Sequence, residues 1–340
     1  MSPKHSAQLG QVSDEFKDGY AEVNGQRLHY VTSGKTAAPM MLFIHGASNF
    51  SYFWEDQLAE FGKDLFAVAP DMRGYNLSSR PKEIEQYRLK YLVEDIRQLA
   101  GKLNGGKRFI LVGHDWGGFI CFVFTMYHPE LVDKLIVCNA PHPFLFEREL
   151  NENPWQQYCS NYMLCINGYG HADEWKHSDT ISRDEAVKQF KAGWVADQVK
   201  LGRYAEADRQ KWIDAASAPG ASANYYRAND VNPPFNDNHP RSEVARSFSA
   251  KAVTEGAKSV VATMPTLIVW GINDDALAPG NLTGFGQYFT NLWFRLFPEG
   301  DHNVSQMKYR EVNAEIREFL QGKDVPRVKV IRDITSRPRA

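Results

Sequence analysis

The chain has 340 residues, enough for one large domain or a core carrying an insertion, and 43% hydrophobic with 24% charged residues exclude a disordered or fibrous protein. A formal net charge of −2 gives no electrostatic ground for binding nucleic acid or an anionic membrane surface. Four cysteines (Cys121, Cys138, Cys159, Cys165) without metal-like spacing, a polar segment 1–16 without the apolar stretch of a signal peptide, and no apolar run of membrane-spanning length predict a soluble protein of the reduced cytoplasm.

In chain order, Gln26 to Thr32 and Met40 to Ile44 are strand-like, Ser51 to Phe61 reads as a helix, and Leu65 to Pro70 as another strand. Leu92, Ile96, Leu99 and Leu103 recur at helical spacing, and Gly105-Gly106 ends that helix. Phe109 to Val112 is a short apolar strand, Trp116 to Tyr127 an apolar helix stopped before Pro129, and Leu135 to Cys138 the next strand. Alternation of this kind predicts an α/β fold: a mostly parallel sheet flanked by helices. From 141 to 263 the pattern becomes polar-aromatic and mostly helical. It then resumes with a strand from Pro265 to Trp270, a strand from Leu292 to Phe297, and a final helix marked by Val312, Ile316 and Leu320. The expected organisation is a core of 1–140 and 264–322, a helical lid inserted at 141–263, and a tail at 323–340. An insertion in such a fold sits over the C-terminal ends of the strands, where ligands bind. In the tail, Val328 and Val330 alternate with Arg327, Lys329 and Ile331, which hints at an extended arm; a frayed terminus is the simpler expectation, a homodimer contact the other.

The chemistry concentrates in Gly113-His114-Asp115-Trp116-Gly117-Gly118, between a strand and a helix. Small residues two before and two after Asp115 permit a sharp turn that lifts its side chain above the sheet. Serine in this place attacks carbonyls. A carboxylate suits displacement at a saturated carbon, giving an alkyl ester that water must cleave. That second step needs a base, a group to orient it, and donors for an oxyanion. His302, between the last strand and the last helix, is the candidate base. Asp274, after the strand ending at Trp270-Gly271, is its expected partner, with Asp275 as competitor. Gly46 after a strand lets the backbone bend so that the Ala47 N–H, with the Trp116 N–H, can form an oxyanion hole. His45 is expected to brace loops rather than react.

Together these residues resemble the α/β-hydrolase superfamily and, within it, the soluble epoxide hydrolases, over roughly Phe16 to Leu320. The segment around Asp115 resembles that family's nucleophile segment, and Asp71-Met72-Arg73-Gly74-Tyr75-Asn76-Leu77-Ser78-Ser79 its second signature. The resemblance implies two lid tyrosines that donate hydrogen bonds to an epoxide oxygen. Asn224-Tyr225-Tyr226-Arg227 is similar to the family's segment for one, which gives Tyr226. Asn153-Pro154-Trp155 begins a stretch like that for the other, where spacing favours Tyr162 and Tyr158 is the alternative. It also implies no metal or organic cofactor. The aromatic side chains Trp155, Tyr158, Tyr169, Trp175, Trp194, Trp212 and Tyr225, some of them packing, suggest a small apolar epoxide, and Trp116, Trp155 and Tyr225 are expected to contact it. One departure is Ser48, where the family usually has proline. The rival expectations are a haloalkane or haloacid dehalogenase using the same Asp115, His302 and Asp274, and a ligand-binding protein on the same scaffold.

Overall fold

A computed structural model describes residues 16–167, 192–193, 195–196, 199–200, 206–216, 221–234, 248–322 and 326–332. The centre is a nine-stranded sheet in the order β1-β2-β4-β3-β5-β6-β7-β8-β9. Its strands are β1 (Phe16–Val23), β2 (Gln26–Ser33), β3 (Met40–Ile44), β4 (Phe66–Pro70), β5 (Phe109–His114), β6 (Val132–Cys138), β7 (Thr266–Gly271), β8 (Leu292–Phe297) and β9 (Val328–Val330). β1 and β2 form an antiparallel hairpin, β2 also runs antiparallel to β4, and the pairs from β4 to β9 are parallel.

The central strands are apolar on both faces because both faces are covered. Met40, Leu42 and Ile44 of β3 enter one core, while Met41 and Phe43 enter the other. The first core is shared with helices α2 (Leu89–Asn104) and α3 (Trp116–Tyr127), and the second with α1 (Glu55–Phe61) and the last helix, Tyr309–Gln321. The expected helix from Ser51 starts with a single 3₁₀ turn, Ser51–Trp54, before α1. α2 ends as expected at Gly105, whose φ of 69° is the left-handed conformation that glycine adopts without strain.

Two expectations are corrected. β1 was not foreseen, although Asn24 and Gly25, with φ of 48° and 72°, make the two-residue turn that pairs Val23 with Gln26. The tail is not simply frayed: Val328–Val330 adds a parallel strand to β8, and Lys329 is held by Glu315 at 2.6 Å and Glu318 at 2.9 Å.

β6 and β7 are neighbours in the sheet, and residues 139–265 leave and re-enter between them. Within the described part of that excursion lie α4 (Pro143–Glu152), α5 (Pro154–Cys159), α6 (Tyr162–Asn167), α7 (Arg209–Ala216), α8 (Ala221–Ala228) and a short turn of helix, Ala250–Val253. α8 is fastened to the core through the loop after β4. There Arg73 and Asp95 form a fully buried two-pronged ion pair, with N–O distances of 2.6 and 2.8 Å, and the Tyr225 hydroxyl donates to the Arg73 carbonyl at 2.9 Å. Replacing Arg73 alone (Arg73→Met) leaves Asp95 buried without its cation and is expected to cost about 3–5 kcal/mol in urea unfolding, much of it recovered when Asp95→Leu is added.

Candidate active site

Asp115 sits between the end of β5 and the start of α3 with φ of 52° and ψ of −125°, a strained backbone for a residue with a side chain. Its surroundings enforce the turn. A Cβ on Gly113 would lie 2.6 Å from the Gly117 carbonyl oxygen, and one on Gly46 would lie 2.6 Å from the Asp115 Cβ. The turn brings the carboxylate against backbone amides. Oδ1 accepts the Ala47 N–H at 2.6 Å, and the Trp116 N–H also donates to the carboxylate. Burial by itself would raise the Asp115 pKa. The hydrogen bond and charge of His302 outweigh it, with help from the Trp116 amide, and hold the group below the ordinary carboxylate value.

His302 Nε2 lies 3.5 Å from Asp115 Oδ2, and its Nδ1 lies 2.8 Å from Asp274 Oδ2. Asp274 only accepts, so Nδ1 carries the proton. Burial disfavours the imidazolium, but the charge of Asp274 and the hydrogen bonds to Asp115 and Asp274 prevail, and the His302 pKa stands well above that of free histidine. The backbone carbonyl of His302 is held at 2.8 Å by Nε2 of His114, whose own pKa burial lowers to about 4. His114 is therefore a neutral donor at ordinary pH.

Asp274 is buried and Asp275 is exposed. The Asp274 carboxylate has four donors: Ala276 N–H at 2.8 Å and Leu277 N–H at 2.9 Å on Oδ1, and Asn139 Nδ2 at 2.7 Å and His302 on Oδ2. Asn139 escaped the sequence analysis. It follows β6, exchanges two further hydrogen bonds with the Gly271 backbone, and so ties β6 to the start of the Asp274 loop. The signal was a lone polar residue ending an apolar strand.

His45 braces the loop after β3: its Nε2 accepts the Met72 N–H at 2.9 Å and its Nδ1 donates to the Gly46 carbonyl at 2.8 Å. No cis peptide bond occurs among the described residues. Ser48 instead has φ of 63°, and with that geometry the Ala47 N–H still meets Asp115.

Tyr162 and Tyr226 meet hydroxyl to hydroxyl at 3.2 Å in the wall of a small cavity. Asp115 and Trp116 share its wall with Phe119, Phe146, Met163, Val231 and Leu277, apolar residues not singled out in the sequence. Burial, followed by the charge of Asp115, raises the Tyr226 pKa. Burial and then the paired phenol and Asp115 do the same for Tyr162, so both remain protonated donors. The Trp116 ring packs edge-on against Tyr226, with 5.0 Å between ring centres.

Two expected substrate contacts are corrected. Trp155 is 58% exposed and stacks on Tyr158, which is 73% exposed, and neither lines the cavity. The buried Tyr225 packs edge-on against Trp116 and spends its hydroxyl on Arg73, behind the cavity wall. Trp212 packs on Phe50, at 4.6 Å between ring centres. Tyr169, Trp175 and Trp194, and the side chain of Cys165, lie outside the described residues. Among the described residues no cluster of three or more His, Cys, Asp or Glu side chains could hold a metal ion, and no helix is long and apolar enough to cross a membrane.

Comparison with known proteins agrees with this architecture. The family model described as the alpha/beta hydrolase fold matches residues 39–161. Epoxide hydrolase 1 of Caenorhabditis elegans is 31% identical over 316 residues, which cover 91% of this chain and 71% of that protein. Human epoxide hydrolase 4 is 32% identical over 307 residues, covering 88% and 76%. An epoxide hydrolase structure from Bacillus megaterium, solved with an inhibitor, superposes with a TM-score of 0.73 at 33% identity, covering 89% of this chain and all of that one. The chain has the α/β-hydrolase fold. Within that class it belongs to the epoxide hydrolases.

If two carboxylates maintain the His302 charge, Asp115→Asn must lower the His302 pKa. The imidazole Cε1 resonance, followed against pH in labelled protein, is expected to titrate at a lower pH in the variant; an unchanged or higher midpoint contradicts the electrostatic account.

Proposed function

We propose that this chain hydrolyses an epoxide to a vicinal diol through an ester on Asp115, with the segment 141–263 as a lid that supplies the acid. The observation carrying this assignment is the pair of protonated phenols, Tyr162 and Tyr226, set together over the Asp115 carboxylate in one apolar cavity. An epoxide oxygen accepts two hydrogen bonds, and the two phenols supply two donors once the 3.2 Å bond between them is exchanged for bonds to the substrate.

In the first step Asp115 Oδ2 attacks a ring carbon, since Oδ1 is held by the Ala47 amide. A carbon–oxygen bond to Asp115 forms, the ring carbon–oxygen bond breaks, and the released oxygen takes a phenol proton. Strain in the ring favours this step, so hydrogen bonding suffices to assist the leaving oxygen. Esterification also removes the Asp115 charge. His302 then keeps only Asp274 as an anionic carboxylate neighbour, its acidity rises, and it gives up its proton to the tyrosinate through solvent, becoming a base.

In the second step neutral His302 takes a proton from water, and the hydroxide adds to Cγ of Asp115. The oxyanion develops on the ester carbonyl oxygen, at which the Ala47 N–H is aimed, with the Trp116 N–H beside the same carboxylate. Collapse breaks the bond from Cγ to the alkyl oxygen. The alkyl oxygen takes the proton from His302 as the diol leaves, the carboxylic acid left on Asp115 returns its proton to His302, and one oxygen of water stays in Asp115.

The dehalogenase alternative is disfavoured. Halide release needs no proton, yet the paired donors at this cavity are phenols. The apolar lining suits a small apolar epoxide. The basic tail as a homodimer contact and a cytoplasmic location rest on the sequence alone.

His302→Gln is expected to slow ester hydrolysis by about 10²–10⁴-fold, far more than it slows alkylation at a pH above the Asp115 pKa, which loss of His302 raises, so that mass spectrometry finds an adduct on the Asp115 peptide. An unmodified peptide at full turnover refutes the covalent route. Converting both Tyr162 and Tyr226 to phenylalanine is expected to slow ring opening by about 10²–10⁴-fold, while halide release from haloalkanes stays absent; near-normal diol formation would remove the tyrosines from the mechanism.

A further inference from the structure

We infer that Gln156, in the segment between β6 and β7, is a positioning residue for the hydrolytic half of the reaction, acting through the backbone of 276–278 on Asp274. The inference rests on the two-step reaction proposed above. α5 is a surface helix whose Trp155 and Tyr158 are exposed, yet Gln156 beside them is completely buried. Its amide uses its whole bonding capacity. Nε2 donates to the Ala276 carbonyl at 2.9 Å and to Ser160 Oγ at 2.8 Å. Oε1 accepts from the Ala278 N–H at 2.8 Å and from Asn281 Nδ2 at 2.6 Å.

The pattern has a specific consequence. By donating to residue 276 and accepting from residue 278, the side chain pairs with this segment as a neighbouring strand would. The opposite side of the same segment holds Asp274, through the Ala276 and Leu277 N–H groups. The three residues are thus clamped between an amide from the inserted segment and the carboxylate that orients His302. Ala276 and Leu277 also line the cavity, so the clamp fixes part of its wall. No other side chain of similar length reproduces the bonding. Leucine offers no polar atoms, and an ionised glutamate accepts but cannot donate.

Without the clamp, the 276–278 segment is free to withdraw from Asp274 Oδ1, and the carboxylate loses its fixed aim at His302 Nδ1. Alkylation needs Asp115 and the two tyrosines, none of which Gln156 touches. Hydrolysis needs an aligned His302. The two half-reactions therefore respond differently, which a general loss of structure would not produce.

The test is single-turnover kinetics of the full chain with styrene oxide, following ester formation and decay separately. Gln156→Leu is expected to slow decay by about ten- to a hundredfold and leave formation near the unaltered rate. Gln156→Glu supplies a second readout and serves if the leucine variant does not fold. A protonated glutamic acid has one O–H donor for the Ala276 carbonyl and a carbonyl acceptor for the Ala278 N–H, which restores the strand-like pair without the Ser160 bond, and burial favours that form. The ratio of its decay rate to that of the unaltered enzyme should rise as the pH falls, against the trend that His302 protonation imposes on both. Equal slowing of both steps, unaltered decay, or a pH-independent ratio would overturn the inference. Absence of any ester in the unaltered enzyme would instead overturn the covalent reaction, and this inference with it.

Discussion

The contact between the Asp115 carboxylate and the Ala47 amide is the constraint around which the site is built. A carboxylate this enclosed would ordinarily take up a proton and lose its nucleophilicity. Here one oxygen is committed to backbone N–H groups, which require the strained turn at Asp115 and the close approach of Gly46. The other faces an imidazole whose charge is itself sustained by Asp274. Anchoring one oxygen leaves the second exposed to a substrate and fixes which of the two reacts. The amides are indifferent to whether they bind the resting carboxylate or a developing oxyanion, so the same donors serve both steps of the proposed reaction.

That arrangement makes the order of events a property of charge. While Asp115 is ionised, His302 is held as imidazolium and cannot act as a base. In the proposed reaction, esterification cancels one negative charge 3.5 Å from His302 Nε2, and the base appears only when there is an ester to hydrolyse. The phenols follow the opposite logic. Burial, aided by the Asp115 charge, keeps them protonated beforehand, so donors are present when the ring opens. No conformational change is needed to switch between the two roles.

The parts legible in the sequence are those set by local chain geometry. The β5-turn-α3 segment announces itself because a short apolar run, two glycines and a helix-forming stretch must make a tight turn whatever surrounds them. The C-terminal end of α2 and the strands β3 and β7 are readable for the same reason: Gly105, or a continuous apolar run, decides them. β1 was missed because its alternation is weak, and the Asn24-Gly25 turn that marks it was passed over. The tail strand β9 depends on partners in β8 and on Glu315 and Glu318, none of which is near it in sequence. The role of Asn139 and the outward placement of Trp155 were hidden likewise. An exposed aromatic and a cavity aromatic look alike until the helix carrying them is docked, and Asn139 matters only through contacts 132 and 135 residues away.

Tyr225 and Tyr226 make the same point at one step of a helix. Successive helical residues point about 100° apart, so two neighbouring tyrosines cannot serve the same surface. Tyr225 turns inward to the Arg73 carbonyl, on a loop rigidified by the Arg73–Asp95 pair, and its ring packs edge-on to Trp116. With Tyr225 pinned, Tyr226 has one direction left, and it leads to the cavity and to Tyr162. The buried ion pair thus reaches the proposed acid through one backbone carbonyl and one turn of α8. An inserted helix then presents a phenol to a carboxylate on another part of the chain with the precision that hydrogen bonding to a strained ring requires. A lid joined to the core by apolar packing alone would keep its tyrosines buried but not aimed, because apolar contacts tolerate sliding and hydrogen bonds do not.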